Sequence, residues 1–424
     1  MDRILKALSP ALFLLFSPLC ASNLAELIEL SLQNESYLAK NSQHQQSEND
    51  YQAAFASYLP SLSLSGAYVA NNKDRRIIDA QEALFAKFSL NFLLFDGGKR
   101  EATLRGLEFK KNLSALDRMQ SKNALALNAI TLYFNYLSLE KIIKAQEQKA
   151  LFLEKTLLRV QKFHRAGLSA KDELESIRAR YHLANLEFLQ KKLGLEGVKK
   201  ELTILSQRNF IPEEGARMKE LGDERASNVE ILKAKERVGL AQEALSIAKA
   251  EFFPRFFVQN HFAFYKNHHP LKLASNLQNF SEGLAEKYAQ NNQFVLGFEW
   301  KIFDFDARGR ELENRRLDVQ ISRANLKLAQ RQNEEDLAFL RKNLQVLVEQ
   351  ISTLKIALDA ANLAFESVDK KYTAGLCSYV EYLGALEAKF RAAGELELAE
   401  NELEITKANY YFLAGFDLEE RIVR

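Results

Sequence analysis

A chain of 424 residues with a formal net charge of +2 has no basic excess to hold nucleic acid and no acidic tail. With 47% hydrophobic and 27% charged residues, it is composed like a folded, helix-rich protein and not like a disordered one. It carries no GxGxxG or P-loop pattern, so any chemical energy its work needs must come from a partner.

Residues 1–22 read as a secretory signal: Arg3 and Lys6 form the positive end, Ala7–Phe16 the short apolar core, and Cys20-Ala21-Ser22 the small-residue exit. A lipoprotein signal with Cys20 acylated is the competing reading, for which Leu19 is a poor residue just before the cysteine. Cleavage at this exit leaves Cys377 alone, which excludes an intrachain disulfide. No later apolar run is long enough for a spanning helix. An exported chain of this kind is free of the membrane or crosses it as a β-barrel.

A first repeat is expected over residues 23–210. Helical periodicity covers Leu24–Leu59, and Pro60 ends it. Two alternating runs follow within 61–95, Leu62, Leu64, Gly66 and Tyr68 and then Phe88, Leu90, Phe92 and Leu94, with the polar stretch Asn71–Gln81 between them. Phe95-Asp96-Gly97-Gly98 supplies turn chemistry and launches a helix to Arg165, on the order of 100 Å long. Residues 165–169 form a tip, where Ser169 is the expected N-cap, and a helix returns to about Leu205. Residues 211–224, with Pro212, Gly215 and Gly222, read as an irregular link.

Residues 225–424 repeat the plan: a helix to Phe253, a hairpin within 255–303 around the polar loop Lys266–Gln293, the junction Phe303-Asp304, a long helix, a tip at 373–377 and a returning helix. The long helix carries a 3-4 seam: Leu337, Leu340, Leu344, Leu347, Ile351, Leu354, Leu358, Ala361, Phe365, Val368 and Tyr372. Phe95-Asp96 and Phe303-Asp304 lie 208 residues apart, as do Gly167-Leu168 and Gly375-Leu376. At the same offset, nine of the eleven seam positions are again apolar or aromatic, from Ala129 to Val160, so the chain is duplicated.

The fold class expected is therefore mainly α with a β-barrel portion: long antiparallel coiled-coil helices plus four transmembrane strands per subunit. Runs of about ten residues with one apolar and one polar face suit lipid outside and a wet lumen inside. An ordinary sheet with one face on a core is the alternative for any single run. Four strands cannot close a barrel and open edges are forbidden in lipid, so the strands require an oligomer, and a trimer gives twelve.

The two Pro-started hairpins, the Phe-Asp-Gly-Gly-Lys-Arg and Phe-Asp-Phe-Asp-Ala-Arg junctions and the two Gly-Leu tips resemble the TolC family of outer-membrane efflux proteins, over essentially the whole mature chain. The resemblance implies a homotrimer in outer-membrane lipid of a Gram-negative bacterium, with a twelve-stranded barrel above a twelve-helix periplasmic tunnel. It also implies a belt built from the mid-chain link and the C-terminal end. The implied function is a passive exit duct of a tripartite efflux or type I secretion system, served by a periplasmic adaptor and an inner-membrane pump. Arg165, Gly167, Leu168, Ser169, Gly375 and Leu376 match the tip that docks the adaptor, although a plain hairpin turn with a staple leucine uses the same residues. Tyr372 and Glu381 match residues that close or constrict the tunnel, while Gly384 stands where the best-known member has a second acid. Phe95, Asp96, Gly97, Phe303 and Asp304 are the strand-to-helix junctions.

No catalytic constellation, cofactor site or metal site is expected. The six histidines have no zinc-like spacing, and the acids along the helices read as solvated faces and i,i+4 pairs. The competing function is a non-conducting coiled-coil scaffold in the periplasm.

Overall fold

The computed structural model describes residues 23–70, 82–222, 227–268 and 288–423. The expected signal and Cys20, and the segments 71–81 and 269–287, lie outside those residues. In chain order the elements are α1 (Asn23–Ser31), α2 (Glu35–Ser57), β1 (Ser61–Ala70), β2 (Glu82–Phe95), α3 (Lys99–Arg165), α4 (Lys171–Ser206) and β3 (Arg217–Met218). They continue as α5 (Val229–Ala250), β4 (Arg255–His268), β5 (Tyr288–Glu299), α6 (Ala307–Thr373), α7 (Tyr379–Ala414) and β6 (Ile422–Val423). Both long helices, α3 and α6, have 67 residues, and both returning helices, α4 and α7, have 36. Every one of these helix ends keeps the 208-residue offset seen in the motifs.

The chain divides into two compact units, one of residues up to 38, 120–228 and 333–424, the other of residues 39–119 and 229–332. In the first, Leu24, Leu27 and Ile28 of α1 are fully buried against Ile130 and Tyr133 of α3, Leu202 of α4 and Met218 of the link. A second cluster lies along the helical hairpins: Leu153, Leu157 and Val160 with Leu174 and Ile177, and Phe365 with Tyr382, Leu383 and Leu386. The link and the C-terminal end meet in this unit, β3 pairing antiparallel with β6. Lys407, buried beside them, donates to Glu220 at 2.7 Å and Glu404 at 3.1 Å. Burial alone would lower its pKa, but the two carboxylates outweigh it and hold the ammonium above its ordinary range.

The second unit contains a four-stranded antiparallel sheet in the order β1-β2-β4-β5, together with α2, α5 and the opening turns of α3 and α6. The two hairpins are thus one sheet, joined by β2 and β4. Its strands run 10, 14, 14 and 12 residues, so β4 and β5 consume part of the loop expected over Lys266–Gln293. The expected single helix Leu24–Leu59 is two helices. Asn34 ends the first and caps the second: its Oδ1 accepts from Ser36 N at 3.0 Å, while its Nδ2 donates to Ile204 O at 3.1 Å. An apolar period alone cannot register such a cap.

At the first strand-to-helix junction, Gly97 and Gly98 take φ values of +74° and +86°. The duplicated positions carry Phe305 at +54° and Asp306 at +65°, so the turn keeps its shape without its glycines. A Cβ on Gly97 would stand 2.6 Å from the Ala250 carbonyl oxygen, whereas the space around Gly98 is open. Gly98→Ala is therefore expected to cost about 1 kcal/mol, the left-handed penalty alone. Gly97→Ala should cost clearly more, since backbone must also move, and thermal denaturation followed by circular dichroism distinguishes the two.

Candidate functional site

The two helical tips have the same construction. Leu168 N donates to Phe163 O at 2.8 Å and Gly167 N to His164 O at 3.0 Å; Leu376 N donates to Lys371 O at 2.8 Å and Gly375 N to Tyr372 O at 3.1 Å. These paired bonds satisfy the last carbonyls of α3 and α6, and they require the left-handed residue that Gly167 (φ +76°) and Gly375 (φ +73°) provide. Leu168 and Leu376 are each 77% exposed. A staple leucine would pack back on its own helix, and neither does.

The tips differ at their second corner. Ser378 caps α7, its Oγ accepting from Glu381 N at 3.3 Å. The expected cap Ser169 does not cap α4. Ala170 stands at that position without a side-chain bond, and Ser169 Oγ donates instead to Glu173 Oε2 at 2.7 Å. His164 Nδ1 lies 2.8 Å from Ser169 O and closes the turn from the other side. Arg165 is exposed at the end of α3. Cys377 is half-buried, with Sγ 3.6 Å from Val368 O.

Of the two constriction candidates, Glu381 is exposed on the first turn of α7, while Tyr372 packs inward. The Tyr372 ring stacks on Tyr382 with centroids 4.6 Å apart, and the Arg159 guanidinium lies 5.8 Å from its centre. Burial, followed by the negative charge of Glu173, pushes its phenol up to about 12. Tyr382, more deeply buried, is raised for the same first reason. Tyr372 therefore ties α6 to α7 and α3 at the tip, a role that the helical pattern alone did not disclose.

At the junctions, Asp96 is buried and its Oδ2 accepts from Arg100 N at 3.0 Å, capping α3. Asp304 accepts from Arg308 Nε at 2.6 Å, and Arg308 also donates to Glu251 O at 2.9 Å. Phe95, Phe303 and Phe305 are exposed, and Trp300, also exposed, donates its indole N–H to Phe252 O at 3.1 Å.

The sheet exposes its apolar face. One face aligns Leu62 with Leu90, Leu64 with Phe88, Tyr68 with Leu84, Val258 with Leu296 and Phe256 with Phe298. The other aligns Ser63, Ser89, His261 and Gln293 in one row across four strands. Leu62 is 71% exposed and Phe298 68%, while on the polar face the central Ser89 is only 6% exposed and the flanking Ser63 and Gln293 are exposed. Asn260 and Asn292, polar residues on the apolar face, hydrogen-bond to one another, Asn260 Nδ2 donating to Asn292 Oδ1 at 3.0 Å. A sheet made for water would bury the apolar face.

The sequence profile of the outer membrane efflux proteins matches residues 27–196 and 221–415. The chain belongs to the outer membrane efflux protein family. This is a transport family, not an enzyme family, and its members sit in the outer membrane of Gram-negative bacteria. Among solved structures, the chain is similar to the outer membrane protein VceC of Vibrio cholerae, with 15% identity over 93% of this chain and 96% of that one, at a TM-score of 0.79. The CmeC outer membrane channel of Campylobacter jejuni superimposes at 0.78, with 15% identity over 93% and 86% of the two chains. The open state of the MtrE outer membrane channel of Neisseria gonorrhoeae superimposes at 0.75, with 16% identity over 93% and 89%. At such identities the likeness is one of fold. No curated protein matches the chain in sequence.

The tip packing has a pH signature. A phenol whose pKa in the folded protein exceeds its ordinary value of 10.0 stabilises the fold fully below that value and loses its contribution as pH rises toward about 12. Tyr372→Phe should remove one late-titrating phenol from the ultraviolet absorbance titration and lessen the loss of stability across that interval.

Proposed function

We propose that the protein is the passive exit duct of an efflux assembly. Three chains close their four-stranded sheets into a twelve-stranded barrel, and their long helices form the periplasmic tunnel. The observation that carries this reading is the sheet itself, whose apolar face is exposed, whose opposite face is lined by serine, asparagine and glutamine, and whose outer strands β1 and β5 each keep one edge unpaired among the described residues. Lipid satisfies the first feature, a wet lumen the second and neighbouring subunits the third. A soluble coiled-coil scaffold would have to hide the same leucines and phenylalanines, and nothing within the described residues of this unit covers them.

On this reading the energy comes from an inner-membrane pump, and a periplasmic adaptor joins it to the duct at the tips. Leu168 and Leu376 suit that contact, since each presents an exposed apolar anchor beside a glycine where a partner's backbone approaches closely. Glu381, repeated three times near the axis, would set a ring of like charge that favours cations. A tripartite efflux assembly is favoured over type I secretion by the family description.

Two experiments test this reading. In planar lipid bilayers the purified protein should give discrete conductance steps, with Glu381→Gln reducing cation preference at unchanged expression. Permanent absence of steps from folded oligomers refutes the duct. Leu168→Asp combined with Leu376→Asp should abolish export from cells while cross-linking still recovers trimers, and undiminished export refutes docking through the tips.

A further inference from the structure

The polar face of the sheet carries very little charge. Among the described residues, Arg255 and Glu299 stand opposite one another and are ion-paired, which leaves Lys87 as the one uncompensated charge. Lys87 is half-buried in a row with Ser65, Ala263 and Asn291, and none of these can neutralise an ammonium. The adjacent row brings Ser63, Ser89, His261 and Gln293 alongside it. His261 Nδ1 is buried there with no hydrogen-bond partner, although buried polar atoms are ordinarily satisfied. A lone, half-buried ammonium beside an unsatisfied imidazole nitrogen and several hydroxyl and amide groups is matched by an oxyanion.

We propose that Lys87, with Ser89, His261, Asn291 and Gln293, forms an oxyanion-recognition site on the lumen face of the barrel. Its ligands are solutes bearing phosphate, sulfate or carboxylate groups. Lys87 supplies the charge, and the neutral side chains supply hydrogen bonds. The inference rests on the duct reading, under which three copies form one cationic girdle around the lumen. That girdle favours multiply charged anions, because one anion then meets three ammonium groups within a confined, poorly screened space.

The test uses the full-length protein in planar bilayers, with inositol hexakisphosphate added to one compartment at a time. Wild type should be blocked from one side only, and block should weaken as salt is raised. Lys87→Gln should raise the half-blocking concentration by about tenfold, Lys87→Arg should retain block, and Lys87→Glu should abolish it. Conducting channels that are not blocked, or are blocked equally in wild type and Lys87→Gln, overturn the site while leaving the duct intact. Folded trimers that never conduct overturn the duct and the site together.

Discussion

In hydrocarbon there is no water to pair with a backbone N–H or C=O, and each orphaned group costs several kcal/mol. β1 is a ten-residue edge strand and β5 closes the sheet's other side. An antiparallel edge of that length leaves about ten backbone groups pointing outward. Two such edges carry a penalty of tens of kcal/mol, far above the roughly 5–15 kcal/mol that holds an ordinary domain together. No rearrangement of the helices could offset it. Edge pairing between subunits is therefore the constraint that decides how this chain can exist in a membrane, and the rest of its architecture must be compatible with that closure.

Equal helix lengths follow from the same requirement. If α3 and α6 stand side by side in one wall, a difference of a single turn would leave a step of about 5.4 Å at the tip. Both have 67 residues, and both returning helices have 36. Duplication supplied the match, and local chemistry then diverged around it. One tip is capped by Ser378 and the other is closed by His164 on a carbonyl. One junction turns on two glycines, the other on Phe305 and Asp306 in the same left-handed region.

Much of this was legible in the sequence because its signals are periodic or glycine-bound. The alternation in Leu62–Tyr68 and Phe88–Leu94 marks strands, and the spacing of Gly167 and Gly375 marks tips. What was not legible is whatever depends on partners distant in sequence. The β2–β4 pairing that fuses the hairpins leaves no mark in either strand, since alternation specifies a face but not a neighbour. The break at Asn34 depends on the Ile204 carbonyl, 170 residues away. Tyr372 falls on the seam and reads as one more apolar position, and only the stacked Tyr382 and the nearby Arg159 give it a specific role. Ser169 had the right residue type for a cap, but Glu173 offered its hydroxyl a charged acceptor, which is the stronger hydrogen bond.

Phe305 joins the membrane argument to the duplication. A left-handed φ costs a non-glycine residue about 1–2 kcal/mol, and this ring is 89% exposed, so in water it gains almost nothing in return. Moved into an apolar phase, a phenylalanine side chain gains about 1.5–3 kcal/mol. The transfer gain alone applies to Phe303, whose ring lies 4.7 Å from that of Phe305, and to the neighbouring exposed Trp300. The first junction needs no such return, because Gly97 and Gly98 adopt the turn at little cost. Phe in place of Gly at this position is thus unfavourable in solvent and is offset only where an apolar phase covers the ring, which is the environment at the foot of a membrane-spanning sheet.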